Sequence, residues 1–195
     1  GAASSNRIWR RQRLLAALEV GLTIYGDEGW LQLVCDAQSA TADLHRIIDA
    51  PELNAADKYD TSVCCPGLDL RQPFDYYAHI YEIYSSAPFT LNLNSLLMNA
   101  GLTQRIFDVW LTGGFCLTDD SPGLFIFPEE LTRAVTFRTP EELPELVRRF
   151  KESPDAKEET RRAWQSEILK KHTYRTRLET LLEQVEQACK QRQEQ

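Results

Sequence analysis

Between Ile8 and Val20 the apolar residues Trp9, Leu14, Leu15 and Leu18, with the alanines among them, fall largely on one helical stripe, while Arg10, Arg11, Arg13 and Glu19 lie mostly off it. The spacing predicts an amphipathic helix that Gly21 ends. Leu22 to Tyr25 reads as a short strand, stopped by the loop residues Gly26 to Gly29 before an apolar stretch from Trp30 to Cys35. The pattern weakens over 36–62. There, Asp43 to Ile48 fits a strand or a helical turn, and Pro51 to Asp60 fits a surface loop or a short helix. Val63 to Gly67 contains a turn, and Pro73 opens a helix that carries Tyr77, Ile80, Tyr81, Ile83 and Tyr84 to about Ser86. Helical spacing alone explains these tyrosines as core and lining residues, against a base-stacking platform.

The centre of the chain has the clearest pattern. An apolar strand from Pro88 to Leu93 meets a polar turn, Asn94 to Gly101, and a helix follows from Thr103. Gly113 and Gly114 end that helix and permit close packing, a second strand runs from Phe115 to Asp119, and Asp120 to Gly123 breaks the chain before Leu124 to Phe127. A strand feeding a glycine turn and a helix start is how an α/β fold aims free backbone N–H groups at an anion, usually a phosphate.

Arg133 to Arg138 reads as a third strand of this series. Thr139 then serves as N-cap, Pro140 as first helical residue and Glu142 as the partner that closes a capping box. Leu143, Leu146, Val147 and Phe150 give the new helix its buried face, and Ser153 to Asp155 breaks it. A charged helix reaches about Lys171, a last helix starts at His172 to Tyr174 and passes through Leu178, Leu181, Leu182 and Val185, and the tail from Lys190 should fray.

Strands alternating with helices predict an α/β domain of Rossmann-like, three-layer form with a mostly parallel sheet, whose ligands bind at the carboxyl ends of the strands. Those ends are Tyr25 with Gly26, Asn92 to Asn94, and Thr118 to Asp120. We divide the chain into residues 1–20, a scar plus an amphipathic helix that suits a linker, residues 21–189, the domain, and the tail 190–195.

Composition narrows the function classes. The 195 residues are 43% hydrophobic and 26% charged, enough for one substantial core, and 22 basic against 29 acidic residues give a formal charge of −7. That balance disfavours nucleic acid as a partner, and the basic runs Arg7 to Arg13 and Lys170 to Arg177 read as solvated helix faces. The five cysteines, at 35, 64, 65, 116 and 189, lack zinc-ligand spacing and read as reduced thiols of a cytoplasmic protein. No apolar run approaches the roughly 18 residues that span a bilayer. The start, Gly1 to Asn6, lacks a signal peptide's features and looks like an expression scar, so the chain is expected to be cut from something longer.

Asn92 to Asn94, Gly101 to Asp108 and Gly113 to Asp119, in that order, resemble the carboxy-terminal domain of the bacterial glycosyltransferase group that includes the CgeB-like spore maturation proteins. The resemblance continues through Phe137 to Leu143 and closes with His172, Tyr174, Arg177 and Leu178, similar to a terminal "HTyxxRl" signature. Tyr25, Gly26 and Trp30 are similar to the group's first strand and turn. The likeness runs from about Gly21 to Leu182 and is weakest across 36–62.

What it implies is a GT-B architecture, two Rossmann-like domains facing across a cleft, with this chain supplying the donor-binding half. The donor would be a nucleotide-diphosphate sugar, and the fold commonly works without a metal, so no cofactor is expected. Gly101, Leu102, Thr103, Gln104 and Arg105 are then the donor-phosphate site, where amides, helix dipole and cation stabilise the leaving diphosphate. Asp108 matches the place of an acid that accepts from the ribose hydroxyls. Tyr25, Gly26, Asn92, Asn94, Thr118 and Asp119 are candidates for contacts to base or sugar. A second acid of the wider retaining relatives falls near Ala100 here, so this sequence departs from the pattern at the sugar contact.

Each of these residues has a plainer role as well. Arg105 and Asp108 could bridge one another at a helical spacing, Asn92 and Asn94 could be turn formers, and His172 and Tyr174 could fix the last helix against the sheet. The expected reaction moves a glycosyl group from the nucleotide diphosphate to an acceptor hydroxyl, with the acceptor and any general base held by a missing amino-terminal domain. The catalytic residues are unassigned. A non-catalytic nucleotide-sugar-binding or scaffold module is the alternative, and an epimerase on the same donors a second rival.

Overall fold

A computed structural model describes residues 2–27, 29–34, 58–59, 65–94 and 100–193. Helix α1, Ala2–Leu18, leads into strand β1, Leu22–Tyr25, and helix α2 follows at Gly29–Val34. Strands β2, Lys58–Tyr59, and β3, Leu68–Arg71, precede helix α3, Tyr76–Ser86. Then come β4, Thr90–Asn92; α4, Gln104–Leu111; β5, Cys116–Asp119; a 3₁₀ turn, Pro122–Ile126; α5, Glu129–Val135; and β6, Thr136–Phe137. Helices α6, Glu142–Glu152, α7, Pro154–Lys171, and α8, Tyr174–Gln193, complete the chain.

The strands form two three-stranded sheets, in the orders β1-β3-β2 and β4-β5-β6. β1 runs parallel to β3 with Leu22 opposite Leu68 and Ile24 opposite Leu70, whereas β2 joins β3 antiparallel. β4, β5 and β6 are all parallel. Every residue of β5 is buried, so its alternating side chains meet cover on both faces, the condition of a parallel sheet between helical layers. The domain is thus α/β with parallel-strand sheets and a Rossmann-like build.

Local chemistry accounts for the element ends. Asp75 caps α3 by accepting from the N–H groups of Tyr77 and Ala78, and the chain leaves that helix just before Pro88. After α4, Gly113 takes φ +81°, the left-handed turn that ends a helix, and a β-carbon on Gly114 would lie 2.5 Å from the Tyr84 carbonyl oxygen. The pair ends the helix and permits close packing, as expected. Trp110 of α4 stacks on Trp164 of α7 with centroids 5.0 Å apart, and both rings are fully buried.

Two apolar clusters result, one around β4–β6 with α4, α6 and α7, the other around β1 and β3 with α1. Leu22, Leu91 and Leu93 pack against both and form the seam between the sheets.

Several expectations need correction. Leu68–Arg71 is a strand that the pattern reading missed, and Lys58–Tyr59 pairs with it instead of lying in a surface loop or short helix. The stretch from Trp30 lies in α2 as far as Val34. Arg133 to Val135 close helix α5, leaving only Thr136 and Phe137 of the predicted strand. Helix α6 starts two residues later than the capping box predicts: Glu141 is its N-cap, and the Glu142 carboxylate accepts from the N–H of Arg138 at 2.7 Å. Arg13 is buried, not off the packed stripe. Cys65 is disulfide-bonded, which overturns the reading of all five cysteines as reduced thiols; Cys116 and Cys189 are free. Among the described residues no helix is long and apolar enough to cross a membrane. Of the uncertain stretch 36–62 only Lys58 and Tyr59 are described, and Asp43 to Ile48 lies outside the described residues.

Candidate active site

One sheet holds β1, β3 and β2, and the other holds β4, β5 and β6. Between β1 and β4 this leaves an open cavity of about 940 Å³, lined among others by Thr23, Tyr25, Phe74, Tyr76, Leu91 and Arg105. In open α/β folds ligands bind in the crevice outside the carboxyl ends of the strands, and Tyr25 is the last residue of β1. Two of the predicted site residues, Tyr25 and Arg105, therefore face one space.

Arg105 sits in the first turn of α4 and is exposed. It makes no hydrogen bond or ion pair among the described residues, and it does not bridge to Asp108. The Asp108 carboxylate is half-buried and accepts instead from the Tyr76 hydroxyl. Burial and this bond together raise the Tyr76 pKa, so the phenol stays protonated and donating. Thr103 is the N-cap of α4 yet makes no side-chain cap; its hydroxyl donates to Asn92 Oδ1 at 2.6 Å. The first-turn amides of α4 are consequently left without the usual side-chain acceptor.

Gly101, Leu102 and Thr103 are half-buried on the approach to α4, and Gln104 is exposed beside Arg105. A β-carbon on Gly123 would fall 2.6 Å from the Ala100 carbonyl oxygen and 3.0 Å from the Leu102 side chain. This glycine lets the 3₁₀ turn after β5 press directly on residues 100–102.

The remaining candidates divide. Tyr25 accepts from Arg71 Nη1 at 3.3 Å and meets the edge of Phe74 at 5.1 Å. Gly26 is buried under Trp30, whose ring would lie 2.3 Å from a β-carbon there. Asn92, Asn94, Thr118 and Asp119 are all buried and bond to one another. Asn92 Nδ2 donates to Thr118 Oγ1 at 3.1 Å, while the Asn94 N–H and Nδ2 donate to Asp119 Oδ1 at 2.8 and 3.0 Å. Burial pushes the Asp119 carboxyl up to about 6, against the pull of the Asn94 N–H and the Arg13 charge.

Residues 10–183 match the family model described as glycosyl transferase-like. The chain belongs to the glycosyl transferase-like family. No curated protein and no solved structure matches it. The matched span of this glycosyltransferase-like domain includes both sheets, the crevice between them and the turn before α4.

Residues that the pattern reading passed over also shape the site. Arg13, read as a solvated charge, donates from Nη2 to the Arg138 carbonyl at 3.1 Å and lies over Trp9. Burial lowers its pKa, and Asp119 and Glu141 hold it up. Tyr76 was hidden among six other tyrosines, and only its neighbour Asp75, a cap signal, marks it as the first residue of its helix. Gly123 was visible only as a breaker.

His172 ends α7, and its ring packs on the edge of Phe127 at 4.7 Å. Burial lowers its pKa against the opposing pull of Glu167. It does fix the last turn against the core, but Tyr174 is exposed and does not. Arg177, from the same closing signature, lies 4.7 Å over Phe107 of α4.

Proposed function

We propose that this glycosyltransferase-like domain binds the diphosphate of a nucleotide-sugar donor at the start of α4, with the nucleotide in the crevice between β1 and β4. The observation that carries the reading is Arg105: an exposed cation without a partner among the described residues, lining the crevice between β1 and β4 beside first-turn amides that Thr103 leaves uncapped. Charge-assisted bonds from Arg105 and the amides would stabilise the leaving diphosphate, and the positive end of the α4 dipole adds to them. Asp108 would accept from the ribose with the carboxylate oxygen that Tyr76 does not occupy. The CgeB-like group and the GT-B arrangement belong to this same proposal, with acceptor and general base held by an amino-terminal domain.

Calorimetric titration with UDP, GDP and their sugars in metal-free buffer tests it. Micromolar to millimolar binding, weakened at least tenfold in Arg105→Ala, is the expected result, since a charged hydrogen-bond donor to phosphate contributes about 1.5–3 kcal/mol. A folded chain that binds none of them, or binds equally without Arg105, defeats the reading.

One observation favours a binding module without transfer activity. Ala100 stands against Gly123 where the resemblance would place a second acid. Binding with no turnover by the full-length protein would decide for that alternative.

A further inference from the structure

The donor-binding reading uses Arg105 and the α4 amides but gives no reason for a buried carboxylate at the end of β5. Asp119 is 2% exposed, and its Oδ1 accepts from both the backbone N–H and the side-chain amide of Asn94. Asn94 Oδ1 accepts in turn from Asn92 Nδ2 at 3.3 Å, and Asn92 Oδ1 accepts from the Thr103 hydroxyl at 2.6 Å. One relay of hydrogen bonds thus runs from β5 through both asparagines to the N-cap of α4. Asn94 stands where the chain has left β4, and Thr103 where it enters the helix.

We propose that Asp119 is a positioning residue: its ionised carboxylate holds Asn94, and through Asn92 holds Thr103, so that the α4 amides and Arg105 are set for the donor diphosphate and protonation weakens donor binding. This rests on the donor-binding reading. The physical basis is that a carboxylate accepts an N–H bond about twice as strongly as a neutral group does. A neutral Asp119 holds Asn94 less firmly, and the Thr103 hydroxyl, once loosened from Asn92, becomes free to cap α4 and compete with the ligand for its amides.

The groups around Asp119 set when this happens. Arg13 of α1 favours the ionised form, and Glu141 before α6 faces that same arginine. On its own strand Cys116 stays a neutral thiol, because burial pushes it up to about 12. Asp120 is paired with Arg138. Burial of Asp119 itself dominates and brings its carboxyl up to about 6.

The test combines amide hydrogen exchange with titration by UDP-glucose and GDP-mannose from pH 5 to 8. Nucleotide sugars are used because their esterified diphosphate has no proton to exchange near pH 6. In the wild-type chain, protection of the Asn94 amide and donor affinity should fall together through about pH 6, the affinity by roughly three- to tenfold. Asp119→Asn should bind weakly at pH 8 and lose the midpoint in both readouts, while Thr103→Val, which has no hydroxyl to release onto α4, should keep the midpoint in Asn94 exchange and lose it in donor affinity.

An Asp119→Asn variant that retains wild-type affinity and midpoint overturns the proposal. So does one that loses affinity together with melting temperature and leaves a wild-type pH profile in Asn94 exchange. If no nucleotide sugar binds any variant while Asn94 exchange still follows Asp119, the donor reading falls and the hold on Asn94 survives.

Discussion

The carboxyl of Asp119 pulls folding and binding in opposite directions with pH. Its folded value, about 6, lies above the roughly 3.9 of an unfolded aspartate. Its contribution to stability is therefore fully present below the unfolded value and is lost as pH rises through about 6, a change of order 2–3 kcal/mol. Asp119→Asn removes that burden and should raise stability at pH 8 relative to wild type, with little difference at pH 4. His172, whose folded value is lowered, acts the other way: its contribution is fully present above the unfolded value and is lost as pH falls through the lowered folded one. Both chains carry it, so the difference between their urea curves isolates Asp119. An equal difference at both pH values would rule the linkage out.

Gly123 gives a steric test at the same scale. The carbonyl oxygen of Ala100 lies 2.6 Å from where an alanine methyl would sit, and backbone cannot yield as a flexible side chain can. Gly123→Ala should cost about 1–3 kcal/mol by thermal denaturation. Because the displaced atoms belong to residues 100–102, donor affinity should fall with it.

Among the elements, α4 is the piece that joins core to site. Its Trp110 stacks on Trp164, which also donates from Nε1 to the Leu131 carbonyl at 3.2 Å and so ties α7 to α5. Trp164→Ala should destabilise by about 3–5 kcal/mol, read from urea unfolding. A value near 1 kcal/mol would mean that α7 is not the anchor of α4. On its other side α4 meets Tyr76 through Asp108, and Tyr76→Phe should alter nucleotide affinity with a stability change of only about 1 kcal/mol.

This element was legible because its signals agree. An apolar run, a turn, a helix stripe and a glycine pair follow in order from Pro88 to Gly114, and each has one structural meaning. Leu68–Arg71 was not, because four alternating residues between Pro66-Gly67 and Pro73 are too short to stand out from a loop, and their strand exists only by pairing with β1. Arg133 to Val135 failed for the opposite reason. Val135 and Thr136 favour a strand locally, but Pro128, Glu129 and Glu130 had already started a helix with acids in its first turn. The side-chain relay among Asn92, Asn94, Thr103 and Asp119 joins residues up to 25 positions apart and has no periodicity to reveal it. Arg105 was found by its place in a motif; that it has no partner among the described residues needed the fold.

Across the whole molecule, the seam between the two sheets is apolar among the described residues. Leu22, Leu91 and Leu93 reach both apolar clusters, and the cavity of about 940 Å³ opens along the same boundary. A ligand seated there touches both sides and binds the folded state alone. It should stabilise the domain by about 2.7 kcal/mol at a hundred times its dissociation constant. Leu91→Ala removes part of the seam, at a cost of about 2–5 kcal/mol if the site does not collapse. It should broaden thermal unfolding or split it, because the β1-β3-β2 sheet has the smaller cluster of its own among the described residues. A saturating nucleotide sugar should then restore a single transition in Leu91→Ala but not in the double variant with Arg105→Ala. Sharpening by the ligand in both would place the ligand away from α4, whereas a single sharp transition in Leu91→Ala without ligand would show that the sheets are coupled by contacts other than the leucine seam.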